Sequence, residues 1–148
     1  MTAFDVSWGG DGGATGITTA AELDRVLDGI VVGPGRMPYS VAIYVPDESD
    51  LIPVMLEIGI GHPERSFAFY VGEREADAGW AHEPGVPEGD DMLVDHAGQA
   101  TDVDPFRTRV TVAGAREAAR RFVASGGRRP TNLEWYTKEW HDAHDPVQ

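Results

Sequence analysis

The sequence predicts an α+β protein: an antiparallel β-sheet of about five to seven strands, with two main helices packed largely on one face. Short segments with alternating apolar residues recur along the chain, separated by turns rich in Gly, Pro and Asp. Two segments, 19–30 and 115–123, instead repeat apolar residues at helical spacing. The turns between consecutive strand segments are short enough for antiparallel neighbours.

The N-terminal part of the chain predicts a strand and then a helix. Residues 3–8 alternate apolar and polar side chains, and the glycine-rich residues 9–13 form a turn. That turn has neither the lysine of a P-loop nor the glycine spacing of a dinucleotide fold. Thr19 stands three residues before Glu22, which is a capping box. The apolar stripe of the helix that follows consists of Leu23, Val26, Leu27 and Ile30.

Three further strands are predicted to form a meander. Residues 39–45 are rich in β-branched and aromatic side chains, and an acidic turn at 47–50 joins them to the next strand as a hairpin. The long apolar run within 51–61 predicts a central strand. One face of this strand carries Val54, Leu56, Ile58 and Ile60, and the other carries Met55 and Glu57. Residues 66–71 alternate in the same way and complete the meander.

Residues 107–136 show the clearest pattern in the chain. The alternation of valine with polar residues at 109–112 predicts a half-buried strand. A helix is predicted next, because five apolar residues recur at helical spacing: Ala115, Ala118, Ala119, Phe122 and Val123. Its exposed side carries Arg116, Arg120 and Arg121. Arginines on such a face pair with local acids more often than they bind phosphate.

The end of this helix is marked by two glycines, Gly126 and Gly127, and Pro130 prevents the helix from resuming. Residues 131–136 then alternate again, so we expect a strand that returns beside the strand at 109–112. Trp135 is the expected packing partner of Phe122 on the helix.

This order of helix, small-Gly-Arg-Arg-Pro corner and short strand ending in Trp resembles the closing segment of the Imm1 family of bacterial immunity proteins. The residues that carry the resemblance are Ala118, Phe122, Gly126, Arg128, Arg129, Pro130 and Trp135. The upstream order of a capped helix, a long apolar strand and an aromatic strand is similar to the same family over most of the chain. The resemblance implies an intracellular antidote that binds and blocks a cognate toxin domain, often a nuclease or a nucleic-acid deaminase.

The charge of the chain is strongly acidic and unevenly distributed. The 25 acidic and 12 basic residues give a formal net charge of −13. Residues 1–106 hold 20 acidic and 4 basic side chains, whereas 107–148 hold 5 acidic and 8 basic ones. Such a field repels nucleic acid and attracts basic partners, including the clefts of enzymes that bind nucleic acid. The alternative interpretation of this charge is solubility.

Length and composition predict a single domain over residues 1–148 in the cytoplasm, with 141–148 as a frayed tail. No run approaches the ~18 apolar residues of a membrane-spanning helix, and the N-terminus lacks the pattern of a signal peptide. The absence of cysteine excludes disulfides and thiolate metal sites. His141 and His144 share a helical spacing, but a chain end is a poor support for a metal, so no metal or cofactor is predicted.

The acid-rich segment 72–105 is the predicted binding region, and it contains only two short strand candidates, at 79–82 and 92–94. With the acidic turn at 47–50, it supplies candidate contacts to a basic toxin domain: Asp47, Glu48, Asp50, Asp77, Trp80, His82, Glu83, Asp90 and Asp91. Negative charge interleaved with an aromatic anchor is typical of a protein-binding surface. A solvated loop with Trp80 packed onto the sheet fits the same residues equally well.

Catalytic motifs are missing from the sequence. It contains no G-x-S-x-G, H-E-x-x-H or calcium-loop pattern, and its carboxylates are too numerous for any pair to be singled out. His62, His82 and His96 are isolated and are interpreted as turn or surface residues. We therefore expect no enzymatic activity. The alternative is a small enzyme or ligand-binding domain with a pocket between the sheet and the 72–105 loop.

Overall fold

A computed structural model describes residues 2–10, 14–46 and 53–137. The helices are α1 (Ala20–Asp28) and α2 (Val112–Ala124). The strands are β1 (Phe4–Ser7), β2 (Ala14–Ile17), β3 (Tyr39–Tyr44), β4 (Met55–Ile60), β5 (Arg65–Ser66), β6 (Ala68–Val71), β7 (Gly79–His82), β8 (Met92–His96), β9 (Gln99–Val103), β10 (Val110–Thr111) and β11 (Glu134–Thr137). In the described ranges, neither helix is long and apolar enough to cross a membrane.

The main sheet has seven strands in the order β11-β7-β6-β4-β3-β1-β2, and all these neighbours are antiparallel. The hairpin β8–β9 joins this sheet through one parallel bridge between Asp95 and Tyr39 of β3, which makes nine strands in all. The short strands β5 and β10 pair separately. The α+β class, the meander β3–β4–β6 and the central place of β4 are therefore confirmed, while the number of strands exceeds the prediction.

Both helices pack on one face of the main sheet. The core there joins Leu23 and Leu27 of α1 and the whole predicted apolar stripe of α2 to the inward residues of the strands. Leu56 and Ile58 of the central strand are fully buried in it. Burial of this apolar area is the main source of stability for such an arrangement.

The helix ends follow the sequence signals. Thr19 caps α1 by accepting a hydrogen bond from Glu22 N at 3.1 Å. The Glu22 carboxylate in turn accepts hydrogen bonds from Thr18 and Thr19, and the bonds from Thr18 contribute most to lowering its pKa. At the end of α2, Gly126 and Gly127 have φ angles of 77° and 103°, which favour glycine.

The strand predicted at 66–71 is divided into β5 and β6. Ser66 is buried, and its hydroxyl donates to Gly59 O at 2.8 Å and accepts from Gly59 N at 3.1 Å. The side chain of Ser66 thus satisfies both backbone groups of Gly59, so regular pairing with β4 starts only at Ala68. Two strands, β2 and β9, were not predicted at all.

Around α2, one prediction was correct only in part and two were wrong. The strand at 109–112 is only two residues long, because Thr111 caps the helix by accepting from Gly114 N at 3.0 Å and Val112 is already helical. Strand β11 pairs with β7 and not with β10. The ring contacts of Phe122 among the described residues are with Phe4 at 5.3 Å and Tyr70 at 6.2 Å, and Trp135 contacts Tyr70 instead.

Candidate functional site

The face of the main sheet that points away from the helices carries a row of aromatic side chains. Strand alternation places Phe69, Trp80, His82 and Tyr136 on this side, since their neighbours Tyr70 and Ala81 face the helical core. Residues 106–109, which lead into β10, add further aromatic and basic side chains next to them. We call this surface the aromatic face. It comprises Phe69, Trp80, His82, Phe106, Arg107, Arg109 and Tyr136.

Trp80 is the centre of the aromatic face. Its ring lies 4.8 Å from the ring of Phe69 and 5.8 Å from that of Phe67, in tilted arrangements that favour aromatic attraction. The guanidinium of Arg107 lies over the same ring, 4.6 Å from its centroid. Trp80 is half-buried, so it combines a fixed position with a surface that a partner can contact.

A second group on the same face is built around Tyr136. Its hydroxyl lies 3.2 Å from Nδ1 of His82, and its ring lies 5.0 Å from that of Phe106. The guanidinium of Arg109 stacks over Phe106 at 4.3 Å, and its Nε donates to Phe106 O at 3.0 Å. Glu134 reaches within 3.7 Å of the His82 ring. Aromatic residues and arginine in this density are typical of the centre of protein interfaces.

The hairpin β8–β9 covers part of the aromatic face and is strongly acidic. Residues 90–104, the acidic hairpin, contain five aspartates and no lysine or arginine. The aspartates are Asp90, Asp91, Asp95, Asp102 and Asp104. The inner side of the hairpin forms a second apolar cluster of Met92, Val94 and Val103 with Phe67, against which Trp80 packs. Its outer side exposes Leu93, which is 45% accessible.

A cavity of about 270 Å³ lies between the aromatic face and the acidic hairpin. Its sheet side is formed by Ser40, Glu57, Phe67, Phe69 and Trp80, and its hairpin side by Val94, His96, Thr101, Asp102 and Val103, with Arg107 alongside. The Glu57 side chain is only 16% exposed, and its Oε1 lies 3.4 Å from Nε2 of the half-exposed His96. The cavity therefore combines apolar walls with a largely buried carboxylate.

The structure brings some of the candidate contacts together and separates others. Trp80 and His82 lie side by side on the aromatic face, and Asp90 and Asp91 are exposed where the acidic hairpin begins. Asp77 lies on a 3₁₀ turn before β7 and pairs with Arg74 at 3.1 Å. The three candidates at 47, 48 and 50 lie outside the described residues, as do 141–148.

Glu83 has a structural role in the described fold. Its Oε2 accepts a hydrogen bond from Thr111 N at 2.7 Å, at the start of α2. A carboxylate is favourable at this position because the unpaired N–H groups of a helix N-terminus carry partial positive charge.

Several residues of this site are not predicted as functional by the sequence. They are Phe106, Arg107, Arg109 and Tyr136, although the F-R-T-R segment at 106–109 is a visible signal. Glu57 was placed correctly on the face opposite the core, but nothing in the sequence indicated that a hairpin more than 30 residues later would cover it. The predicted turn role of His62 is confirmed, since its Nδ1 accepts from Glu64 N and Arg65 N.

The arginines of α2 are engaged within the protein, as predicted. Arg120 Nε lies 2.9 Å from Asp24 Oδ1 on α1, and Arg116 reaches both Asp24 and Asp28. Burial raises the pKa of Asp24, but the hydrogen bonds and charges of Arg120 and Arg116 outweigh it, so the net pKa is lowered. These residues therefore hold the two helices together on the side opposite the aromatic face.

The site is an aromatic face bordered by an acidic hairpin, and the described parts of the chain contain no group of three or more potential metal ligands. A family model described as immunity protein Imm1 matches residues 11–137. The chain therefore belongs to the Imm1 family of immunity proteins, and membership implies a protein that acts against a toxin. Comparison with curated proteins and with solved structures gave no significant match.

Proposed function

We propose that this chain is a cytoplasmic, single-domain immunity protein that binds and neutralises a basic toxin domain which acts on nucleic acid. The toxin is a nuclease or a nucleic-acid deaminase, made by the same cell or its kin. The immunity protein catalyses no reaction, because its task is fulfilled by occupying a surface of the toxin. Family membership supports the toxin-directed role, and the charge distribution supports the class of toxin.

The observation that carries this proposal is the position of the acidic residues. Residues 75–106 contain nine acidic side chains and no lysine or arginine, and they include the hairpin that borders the aromatic face. Enzymes that bind nucleic acid present basic clefts to the phosphate backbone. An acidic surface steers such a cleft into contact, and a half-buried Trp supplies the apolar anchor that slows dissociation.

The proposed contacts combine both parts of the surface. Trp80 and His82 are the contacts on the aromatic face, and Asp90 and Asp91 are the contacts on the acidic hairpin. Asp77 borders the same strand, β7. Asp47, Glu48 and Asp50 stay candidates on sequence grounds alone.

One observation favours a second function, a small-molecule-binding domain. The cavity of about 270 Å³ lies between the sheet and part of the 72–105 segment, where that alternative requires a pocket. Pockets for small ligands and cofactors usually measure about 300–1,000 Å³, so this cavity falls just below the range.

Co-expression tests the proposed function in cells. The gene for the cognate toxin is expected directly upstream of the gene for this chain, and its toxin domain would be expressed with and without the immunity protein. Wild type should restore growth, and Trp80→Ala combined with Asp90→Asn and Asp91→Asn should restore it less well. Asp28→Asn with Glu117→Gln removes the same number of charges from the helical side and serves as the matched control. Failure of wild type to protect would contradict the proposal.

A further inference from the structure

We propose that the cavity between the aromatic face and the acidic hairpin receives one arginine side chain from the toxin. This inference rests on the proposed function and deepens it, because it names the chemical group that the site recognises. Three features of the cavity carry it: its size, the chemistry of its walls and the arginine that the chain itself places against Trp80.

The size of the cavity fits a side chain. At about 270 Å³, it lies near the lower end of the usual range for ligand pockets and is far larger than the space that a single water requires. Side chains that enter pockets of this kind commonly form the energetic centres of protein interfaces, and arginine is enriched among them.

The walls of the cavity fit a cation. Phe67, Phe69 and Trp80 present aromatic rings, which attract cations at their faces. Glu57 adds a carboxylate that is 16% exposed, and in the described part of the chain its only ion-pair partner is His96. A cation that enters the cavity can form a charge-assisted hydrogen bond with this carboxylate. The toxin's arginine would provide that charge.

The chain already shows that this surface accepts a guanidinium. Arg107 lies 4.6 Å from the Trp80 ring centroid, while its Nε lies 3.5 Å from Asp104. Stacking on an aromatic ring together with carboxylate pairing is the combination that distinguishes arginine from lysine, because the guanidinium is planar and weakly hydrated. We therefore assign arginine, and not lysine, as the occupant.

The experiment titrates the ¹⁵N-labelled full chain with the capped peptide acetyl-Gly-Arg-Gly-amide. The matched probe replaces arginine by citrulline, which has nearly the same shape but no charge. The readout is the indole N–H signal of Trp80, assigned with Trp80→Phe. Peptide is added to ~20 mM, a range that includes the millimolar affinity of a single side chain. Salt at about 0.15 M limits non-specific attraction, since the Debye length is then ~8 Å.

The arginine peptide should shift the Trp80 signal to saturation, and the citrulline peptide should not. Glu57→Gln should weaken binding at least about fivefold, equivalent to ~1 kcal/mol. Glu64→Gln removes an exposed acid outside the cavity and should leave binding unchanged. Asp102→Asn, at an exposed lining residue, provides a second cavity variant if Glu57→Gln does not fold.

An absent shift with the arginine peptide, an equal shift with citrulline or unchanged affinity in the cavity variants would overturn the inference. These outcomes are separate from those of the proposed function. If the peptide does not bind but wild type still protects cells from the toxin, only the arginine pocket is refuted. If wild type neither binds nor neutralises the toxin, the proposed function is refuted whatever the peptide does.

Discussion

The contact between Glu83 and the first turn of α2 provides a sharp test of the described fold. Glu83 Oε2 accepts from Thr111 N at 2.7 Å, and a Cβ at Gly114 would lie 2.7 Å from the same oxygen. Glycine at position 114 thus leaves the space that the carboxylate occupies. Glu83→Ala removes the carboxylate, and Gly114→Ala displaces it.

The expected magnitudes follow from these distances. A hydrogen bond to a charged group contributes about 1.5–3 kcal/mol, and Glu83 is half-buried, so Glu83→Ala should cost about 2 kcal/mol. Gly114→Ala in the wild type should cost about 1 kcal/mol, because loss of the same bond exceeds the ~0.5–1 kcal/mol that alanine normally gains over glycine within a helix. In the Glu83→Ala background the clash is absent. Gly114→Ala should then stabilise by ~0.5–1 kcal/mol, giving a coupling of about 2 kcal/mol.

Urea unfolding of the four proteins measures this cycle. With a slope of ~1–3 kcal/mol/M for proteins of this size, a 2 kcal/mol change moves the midpoint by about 1 M. Glu88→Ala, at an exposed acid of the same segment, should change stability by less than ~0.5 kcal/mol. Additive effects of Glu83→Ala and Gly114→Ala would refute the contact, and with it the structural role of Glu83.

Two further predictions concern the core and the helix pair. Phe122→Ala should lower the free energy of unfolding, measured in urea, by about 3–5 kcal/mol, because the ring is fully buried. Val31→Ala, at a side chain that is 80% exposed, is the control and should change it little. A loss below ~1 kcal/mol for Phe122→Ala would contradict the packing of α2. Asp24→Asn should cost ~0.5–1 kcal/mol at pH 7, since the pair is partly exposed. The lowered pKa of Asp24 means that its contribution is fully present above the unfolded-state pKa of ~4 and is lost as the pH falls through the folded-state pKa, so the difference from wild type should shrink steadily below pH ~4. A difference that stays constant as the pH is lowered would exclude the ion pair as its cause.

The sequence pattern predicted helices and strands correctly wherever its apolar residues lie on the face that the structure buries. The stripe of α2 and the alternation of β4 are long enough to average out single exceptions, and both were correct. The failures arose where one side chain overrides the pattern. Thr111 accepts a hydrogen bond from Gly114 N, so α2 begins where the pattern predicted a strand to continue. The Ser66 hydroxyl bonds to the backbone N and O of Gly59 in place of a neighbouring strand. Neither outcome follows from periodicity.

The candidate site was only partly predictable for a different reason. Trp80 and the acids beside it are close in sequence, so composition alone revealed them. The cavity requires Glu57 of β4 and His96 of the hairpin to meet across 39 residues, and the row of aromatic side chains requires β11 to pair with β7. Such contacts depend on strand order, which local residue patterns do not reveal. Glu83 is the opposite case. It lies in the acid-rich segment, but its carboxylate accepts a hydrogen bond at the start of α2.

In the proposed function, the acidic hairpin and the aromatic face form the surface that holds the toxin. Binding kinetics between the purified immunity protein and the upstream-encoded toxin domain, measured at two salt concentrations, test it most directly. Exposed acids govern the rate of encounter, whereas a desolvated aromatic side chain governs dissociation. The same charge-matched control, Asp28→Asn with Glu117→Gln, shows whether a changed rate comes from lost contacts at the surface or from the change in net charge.

Asp90→Asn with Asp91→Asn should slow association and reduce its salt dependence, with little change in dissociation. Trp80→Ala should leave association nearly unchanged and accelerate release at least tenfold, equivalent to ~1.4 kcal/mol or more. The control pair on the helical side should match wild type in both rates. Association that is indifferent to salt, together with wild-type release by Trp80→Ala, would show that the toxin is held by a different surface.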